Sequence, residues 1–300
     1  MKDRNSAFYR FKKNRLALAC VFVLGVLVAA SLILTFFPVY SITEVDLSIA
    51  MQPPSLAHPF GTDTTGTDLM TKVFKGLFLT FLVGFVASII SLFIGLVYGS
   101  ISGYFGKRTD NLMMRAVDVL YGLPTLAYVI LIIFVFQTYG DKLFPNQEGV
   151  FSRSNLYLWN VFVMTIALGS IYWLTISRIV RAQVLGLQKM EFVEAARAIG
   201  AKHFRIIFKH IVPNLIGPVI VYTTLTAPSI MLFESFISFL GLGIKPPNAS
   251  LGILIDDGIK KIAATNINWW LIFFPGMMLA SIIFCLNAIG DGLRDAFDVR

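Results

Sequence analysis

Long apolar stretches alternate with short polar ones along the whole chain. An apolar run of about 20 residues is long enough to cross the hydrocarbon core of a bilayer as a helix. Runs of this kind lie at 16–37, 76–106, 116–139, 155–177, 211–233 and 269–289. The pattern therefore predicts an all-α integral membrane protein with six transmembrane helices.

Two of the predicted spans carry residues that shape helix packing. Glycines recur through the second span, and small residues let helices approach closely in lipid, so we expect this helix inside the bundle. These glycines are Gly84, Gly95, Gly99 and Gly103. The fifth span contains Pro213, Pro218 and Pro228, which predict a bent helix or a broken start whose freed carbonyls are satisfied by neighbours.

The composition and the charge pattern set the class of protein and the orientation of the helices. Hydrophobic residues make up 56% of the chain and charged residues 14%, and the mean hydropathy is +0.75. Most of the 25 Lys and Arg residues flank alternate ends of the apolar runs, so the positive-inside rule predicts that both termini are cytoplasmic. Because the net charge of +8 is not gathered on one soluble face, we expect a lipid bilayer and not nucleic acid as the partner.

The first apolar run follows a basic segment, which is also typical of a cleaved signal peptide. The run exceeds the usual apolar length of about 7–15 residues, and no convincing small-residue cleavage site follows it. We therefore predict an uncleaved first helix. Residues 1–75 then comprise an N-terminal cytoplasmic segment, the first helix and an extracytoplasmic loop, and residues 76–300 form a five-helix core domain.

A polar stretch at 188–213 separates the fourth and fifth predicted spans on the cytoplasmic side. Two short helices are expected there with Gly200 between them, because glycine commonly ends a helix in a left-handed conformation. An apolar face recurs at helical spacing before that glycine. It consists of Phe192, Ala195, Ala196 and Ile199. This spacing alone leaves open a docking site for a partner, a helix lying on the lipid surface and a solvated linker.

The histidines offer little support for a metal site. His203 and His210 are spaced more widely than a two-histidine site on one helix requires, so two surface histidines are favoured. His58 could join Asp63 and Asp68 at a metal, but the Gly, Thr and Pro residues between them favour a structured turn. The sequence also lacks a G-x-x-x-x-G-K-[ST] phosphate loop. We expect no metal, no cofactor and no catalytic residue in this chain.

Two acidic residues in predicted spans call for an explanation. Asp118 lies one helical turn after Arg115, which predicts an interfacial ion pair between them. Glu234 ends the fifth span and is a candidate for the translocation path, because an ionisable group at membrane depth is by default a functional candidate. A structural pairing near the outer interface explains Glu234 equally well. The span centres lack a series of acids for proton relay, which weakens a secondary transporter.

The stretch 188–213 carries a known motif. EAARAIG followed by HIVP resembles the EAA motif of binding-protein-dependent ABC importer permeases, in which E-A-A, a glycine and a downstream proline form a cytoplasmic loop. The matching residues are Glu194, Ala195, Ala196, Gly200 and Pro213. His210 and Val212 stand where Ile and Leu are commoner.

Further segments extend the resemblance over nearly the whole chain. HPFGTDTTGTD, GYFGKRTDNLMMRAVDVLYGLP, ESFISFLGLGIKPPNASLG and NAIGDGLRDAFDVR are each similar to signatures of the second permease subunit of dipeptide/oligopeptide ABC importers. The departures from these signatures are Thr67, Asn248, Ala249, Leu251 and Val299. A family that also handles nickel and modified peptides leaves those cargoes as the alternative to short peptides.

The resemblance implies a type I ABC importer permease fold in the inner membrane. It implies pairing with a homologous second permease, docking of the loop onto one of two ATP-binding cassette ATPase subunits, and delivery of cargo by an extracytoplasmic solute-binding protein. Glu194 and Arg197 would fix the register of the docked helix, and Gly200 would aim the helix that follows. A channel or secondary transporter remains a remote alternative, and a membrane enzyme would need a catalytic cluster.

Overall fold

The computed structural model describes residues 7–41, 45–143, 150–244, 250–261 and 268–297. Within these ranges it is helical almost throughout. The α-helices are α1 (Ala7–Lys13), α2 (Arg15–Phe36), α3 (Leu69–Phe105), α4 (Lys107–Tyr121), α5 (Thr125–Leu143), α6 (Val150–Leu187), α7 (Glu191–Ala198), α8 (His203–Arg205), α9 (Val212–Ile237), α10 (Leu251–Lys260) and α11 (Trp270–Phe297). A 3-10 turn covers Leu47–Ile49, and π-helical turns at Ile206–Ile211 and Ser238–Leu242 flank α9.

Five helical segments of the described chain are long and apolar enough to cross a membrane. They are Arg15–Phe36, Leu69–Phe105, Asn155–Leu187, His203–Leu242 and Trp270–Phe297. A sixth span exists if α4 and α5 are counted as one broken helix. The all-helical membrane class is therefore confirmed, with five or six spans.

The third predicted span, 116–139, is divided into two helices by a break at Pro124. The axes of α4 and α5 meet at 84° across the break at Gly122, Leu123 and Pro124. Proline lacks an N–H group and disfavours helical geometry in the residue before it, so Leu123 cannot continue α4. The Gly122 N–H closes α4 on the Asp118 carbonyl at 3.0 Å. The result is a sharp corner inside the apolar run 116–139.

The most extensive helix packing joins α3 to α6, and glycines of α3 line the contact. A Cβ at Gly95 would lie 2.7 Å from Ile176, and one at Gly103 would lie 2.8 Å from Val184, so neither position can carry a side chain. The prediction that the second span is internal is confirmed. Helices α9 and α11 pack against each other and against α3, whereas α2 lies at the periphery with few buried residues.

Several helices extend beyond the apolar runs that predicted them. α3 begins at Leu69, inside the predicted polar loop, because Asp68 caps it by accepting the Thr71 N–H at 2.8 Å. α6 and α11 likewise continue into charged sequence at 178–187 and 291–297. Helix α10 arises in the loop after the fifth span, and its buried Leu251 and Leu254 join the cluster formed by α3 and α11.

Candidate functional site

The polar stretch 188–213 folds into two consecutive helical segments, as predicted. Helix α7 ends in a Schellman turn, in which the Gly200 N–H bonds the Arg197 carbonyl at 3.0 Å and the Ala201 N–H bonds the Ala196 carbonyl at 3.1 Å. Gly200 has a φ of +79°, which other residues adopt only with strain. This backbone geometry gives Gly200 its turning role between the two helices.

The predicted apolar face of α7 is split between two sides of the helix. Ala196 is buried against the rest of the chain together with Val193. Ala195 points outward, and so do Phe192 and Ile199, the latter with 85% of its surface exposed. The prediction that Ala195 and Ala196 lie on one apolar face of α7 is therefore wrong, because Ala196 turns inward beside Val193. Ala195 alone belongs to the outward surface.

A hydrophobic cluster fixes the inward side of α7 to both neighbouring spans. The cluster contains Val180 and Val184 from α6, Val193 and Ala196 from α7, and Ile207, Ile211 and Leu215 from the π-helical turn and α9. These side chains are all less than 4% exposed. Because the interior of a protein is close-packed, a displacement of α7 is transmitted to the ends of α6 and α9 together.

A polar contact, which no local pattern in the sequence predicts, also joins this loop to α3. The hydroxyl of Tyr104 and Nδ1 of His203 are hydrogen-bonded at 2.9 Å. The guanidinium of Arg197 lies over the Tyr104 ring, 5.4 Å from its centroid. Arg197 is thus placed by a residue of α3, while Glu194 is exposed on the outer side of α7.

Pro213 is the second residue of α9, and α9 begins directly after the π-helical turn. A proline is tolerated in the first turn of a helix because its missing N–H has no partner there. Pro213 is exposed. The roles of Glu194, Ala195, Ala196, Arg197, Gly200 and Pro213 in coupling stay predictions.

Glu234 is completely buried within the chain, at 0% exposure. Its carboxylate accepts hydrogen bonds from Thr80 at 3.0 Å, from Ser235 at 3.3 Å and from Ser238 at 2.8 Å. The Thr80 hydroxyl in turn lies 3.4 Å from the N–H of Leu251, at the start of α10. Glu234 therefore connects α3, α9 and α10. Its placement on the translocation path stays a prediction, and in this conformation its side chain faces the interior of the subunit.

The predicted ion pair between Arg115 and Asp118 is wrong, because Asp118 pairs with Arg178 of α6 at 2.7 Å. One turn further along α6, Arg181 makes a bidentate ion pair with Asp110. These two contacts hold α4 against α6. Local spacing within α4 favoured Arg115, whereas the tertiary packing brought a different guanidinium closer.

The stretch around His58 forms a structured turn, which was the favoured interpretation. Nδ1 of His58 lies 3.0 Å from the Asp68 carboxylate, and Asp63 accepts the Thr65 N–H at 2.8 Å and pairs with Lys72. Burial on its own raises the pKa of Asp63, but the hydrogen bond and charge of Lys72, with the bonds from Thr65, lower it from 3.8 to about 2.

The fold and the loop together define a class, that of a polytopic helical membrane protein with a two-helix loop before its proline-containing span. The sequence model of the family "Binding-protein-dependent transport system inner membrane component" matches residues 95–300. The sequence model of the family "N-terminal TM domain of oligopeptide transport permease C" matches residues 5–54. The chain belongs to this family of inner membrane components, as a permease subunit of the OppC and DppC type.

The relatives cover almost the full chain. The dipeptide transport system permease protein DppC of Bacillus subtilis is 39% identical over 98% of this chain and 85% of its own length. The oligopeptide transport system permease proteins OppC of Haemophilus influenzae and Escherichia coli K12 are 39% and 38% identical, each over 97% of this chain and over 86% and 89% of their own lengths.

A solved structure shows the same fold at low sequence identity. It is an inward-facing conformation of the MetNI methionine ABC transporter, which matches with a TM-score of 0.50 and 18% identity. The match covers 76% of this chain and 95% of that one. This likeness supports the permease architecture and nothing about cargo.

Proposed function

We propose that this chain forms half of a path through which short peptides enter the cell, driven by ATP hydrolysis in separate subunits. The cargo is inferred from relatives named as dipeptide and oligopeptide permeases, which match over nearly the full chain. In this proposal the chain crosses the cytoplasmic membrane six times, with α4 and α5 as one broken span and both termini in the cytoplasm. The excess of basic residues at the ends assigned to the cytoplasm supports that orientation.

The outward surface of α7 is the single observation that carries the coupling mechanism. Phe192, Ala195 and Ile199 present an exposed apolar patch in an otherwise polar loop, with Glu194 beside it. Such a patch on a water-exposed helix is typical of a protein contact. One ATP-binding cassette subunit would receive it, and a second would receive the equivalent helix of a homologous permease.

The mechanism follows from how α7 is fixed. When the two ATPase subunits close on ATP, they push α7, and the hydrophobic cluster behind it moves the ends of α6 and α9. Rigid-body motion of these helices exposes the path to one side of the membrane or to the other. A solute-binding protein outside the cell would deliver the peptide to the outward-open state.

The test is transport by the complete complex in proteoliposomes, purified with the proteins encoded next to it. The cargo panel includes di- to pentapeptides and nickel. Glu194→Lys and Gly200→Val should leave the complex assembled in the membrane, while ATP hydrolysis no longer drives uptake. Normal ATP-dependent peptide uptake in both variants would refute the coupling role, and uptake of nickel alone would refute the peptide cargo.

A further inference from the structure

A small cavity lies where the third span breaks. Its volume is about 210 Å³, and its two walls come from the corner between α4 and α5 and from one side of α6. Hydroxyl groups line much of it. The hydroxyl-bearing lining residues are Tyr121, Thr125, Tyr128, Ser170, Tyr172 and Thr175. The 84° corner therefore opens a recess with a mixed apolar and hydroxyl-bearing wall within a membrane-spanning part of the chain.

An ion pair sits at the rim of this cavity. The Arg178 guanidinium donates to the Asp118 carboxylate at 2.7 Å and lies over the Tyr121 ring, 4.1 Å from its centroid. The hydroxyl of Tyr121 is hydrogen-bonded to that of Thr175 at 2.6 Å. The charged pair and the cavity are therefore one connected site, because Tyr121 belongs to both.

This ion pair differs from the one beside it. Asp110 is only 9% exposed where it pairs with Arg181, and it also accepts the Ser102 hydroxyl at 2.6 Å. Asp118 is 65% exposed and Arg178 is 43% exposed. An exposed pair contributes little free energy, so an incoming charge can replace one partner at small cost.

The surroundings of the pair indicate water and not lipid. Charged and hydroxyl side chains in a spanning segment face the bundle interior or a water-filled space, because hydrocarbon cannot solvate them. The same face continues to α9, where the Tyr172 hydroxyl donates to the Ser229 carbonyl at 3.2 Å. Ser229 and Tyr222 are exposed on α9 beyond this contact. A hydrogen bond thus links the cavity-lining part of α6 to α9.

We propose that Arg178 binds the C-terminal carboxylate of the peptide in transit, while the cavity takes its last side chain. This assignment rests on the proposed peptide cargo. Arginine suits a carboxylate because its planar guanidinium can bind both oxygens, and the Tyr121 ring already holds it in place. Asp118 is the counter-ion that the carboxylate displaces.

The dimensions fit one residue and not a whole peptide. Pockets that enclose small ligands usually measure about 300–1,000 Å³. A cavity of about 210 Å³ holds one side chain and leaves the rest of the peptide outside it. Such a site accepts peptides of different lengths, and its low affinity lets the peptide dissociate.

The test compares a peptide that has a free C-terminal carboxylate with the same peptide amidated at that end. Uptake is measured with the complete complex and its solute-binding protein in proteoliposomes, at concentrations that saturate the binding protein with either peptide. The native complex should move the free acid faster. Arg178→Gln should lower free-acid uptake by about tenfold, as loss of a charge-assisted bidentate contact predicts, and the two peptides should then move at similar rates.

Three further variants separate recognition from structure. Arg178→Lys keeps the charge, so it should retain part of the preference for the free acid even if Arg178→Gln assembles poorly. Asp118→Asn should retain the full preference, because Asp118 does not bind the carboxylate. Lys260→Gln removes the ion pair between the exposed Lys260 and the largely buried Asp256 on α10 and should change neither rate.

Two outcomes would overturn the carboxylate site while leaving peptide import intact. One is an Arg178→Gln complex that still prefers the free acid as strongly as the native complex. The other is an Asp118→Asn complex that loses the preference as fully as Arg178→Gln does, since this variant breaks the ion pair and keeps the guanidinium. Failure of the native complex to import either peptide would instead refute the proposed function.

Discussion

The Thr80 hydroxyl of α3 donates a hydrogen bond of 3.0 Å to the carboxylate of Glu234 in α9, across 154 positions of sequence. Thr80 also approaches the first N–H of α10, so the pair joins three helices at one point. Both side chains are 0% exposed. A buried carboxylate is stable only when donors surround it, and here every described donor is a hydroxyl group of the same chain.

Thr80→Val should therefore reduce stability, because it removes one donor from a buried carboxylate. We expect a loss of about 1–3 kcal/mol, which thermal unfolding of the detergent-solubilised complex would detect. Thr224→Val is a matched control, since the Thr224 hydroxyl bonds only the Ile220 carbonyl of its own helix in the described structure. Equal melting temperatures for the two variants would contradict this account of Glu234.

The two alanines of α7 should respond differently to enlargement. Ala196→Leu forces a larger side chain into the cluster behind the helix, which costs about 1–3 kcal/mol and lowers the melting temperature. Ala195→Leu changes only the outward surface, so the permease should melt normally but retain less ATPase subunit during purification. If both variants lose stability to the same degree, the assignment of opposite sides to these residues is wrong.

Substitutions at Gly200 should follow the cost of a left-handed backbone and not the size of the side chain. No described atom lies within 4 Å of a Cβ built at this position, so steric conflict with neighbours is not the issue. Gly200→Asn should couple best because asparagine tolerates positive φ, Gly200→Ala should be intermediate, and Gly200→Val should be weakest. ATP hydrolysed per peptide imported measures coupling, and an order that follows side-chain volume alone would point to a contact in the complex.

The turn at 58–68 should lose stability in acid through Asp63. A carboxylate whose pKa falls from 3.8 to about 2 on folding stabilises the folded state above about pH 4, and this contribution disappears as the pH falls through 2. The shift corresponds to about 2 kcal/mol at neutral pH. Hydrogen exchange of the amides at 61–67 should therefore accelerate between about pH 4 and pH 2, beyond the intrinsic pH dependence of exchange.

Variants of the same pair provide the control for that prediction. Asp63→Asn and Lys72→Met should each accelerate exchange in the turn at pH 7. The double variant should add little to either single change, because both remove one interaction. Fully additive effects would show that Asp63 and Lys72 act independently.

The loop before the fifth span shows how far sequence reasoning reached. Gly200 and its flanking helices were predicted correctly because a helix-ending glycine acts through the local backbone. The orientation of Ala195 and Ala196 was not predicted correctly. Helical spacing shows which residues are neighbours on α7, but it does not show which of them packs against α6 and α9. The role of Tyr104 could not be predicted, because His203, its hydrogen-bond partner, is 99 positions away in the sequence.

The sequence by itself determined the membrane class and most of the helices, because a backbone in lipid must satisfy its own hydrogen bonds and apolar length alone reveals where it does so. Only the tertiary structure decided which polar groups meet. Asp118 forms its ion pair with Arg178 of α6 and not with Arg115 of its own helix. The 84° corner at Pro124 creates a cavity beside that pair. Both depend on how α4 packs against α6, and contacts between distant segments leave no periodic signal along the chain.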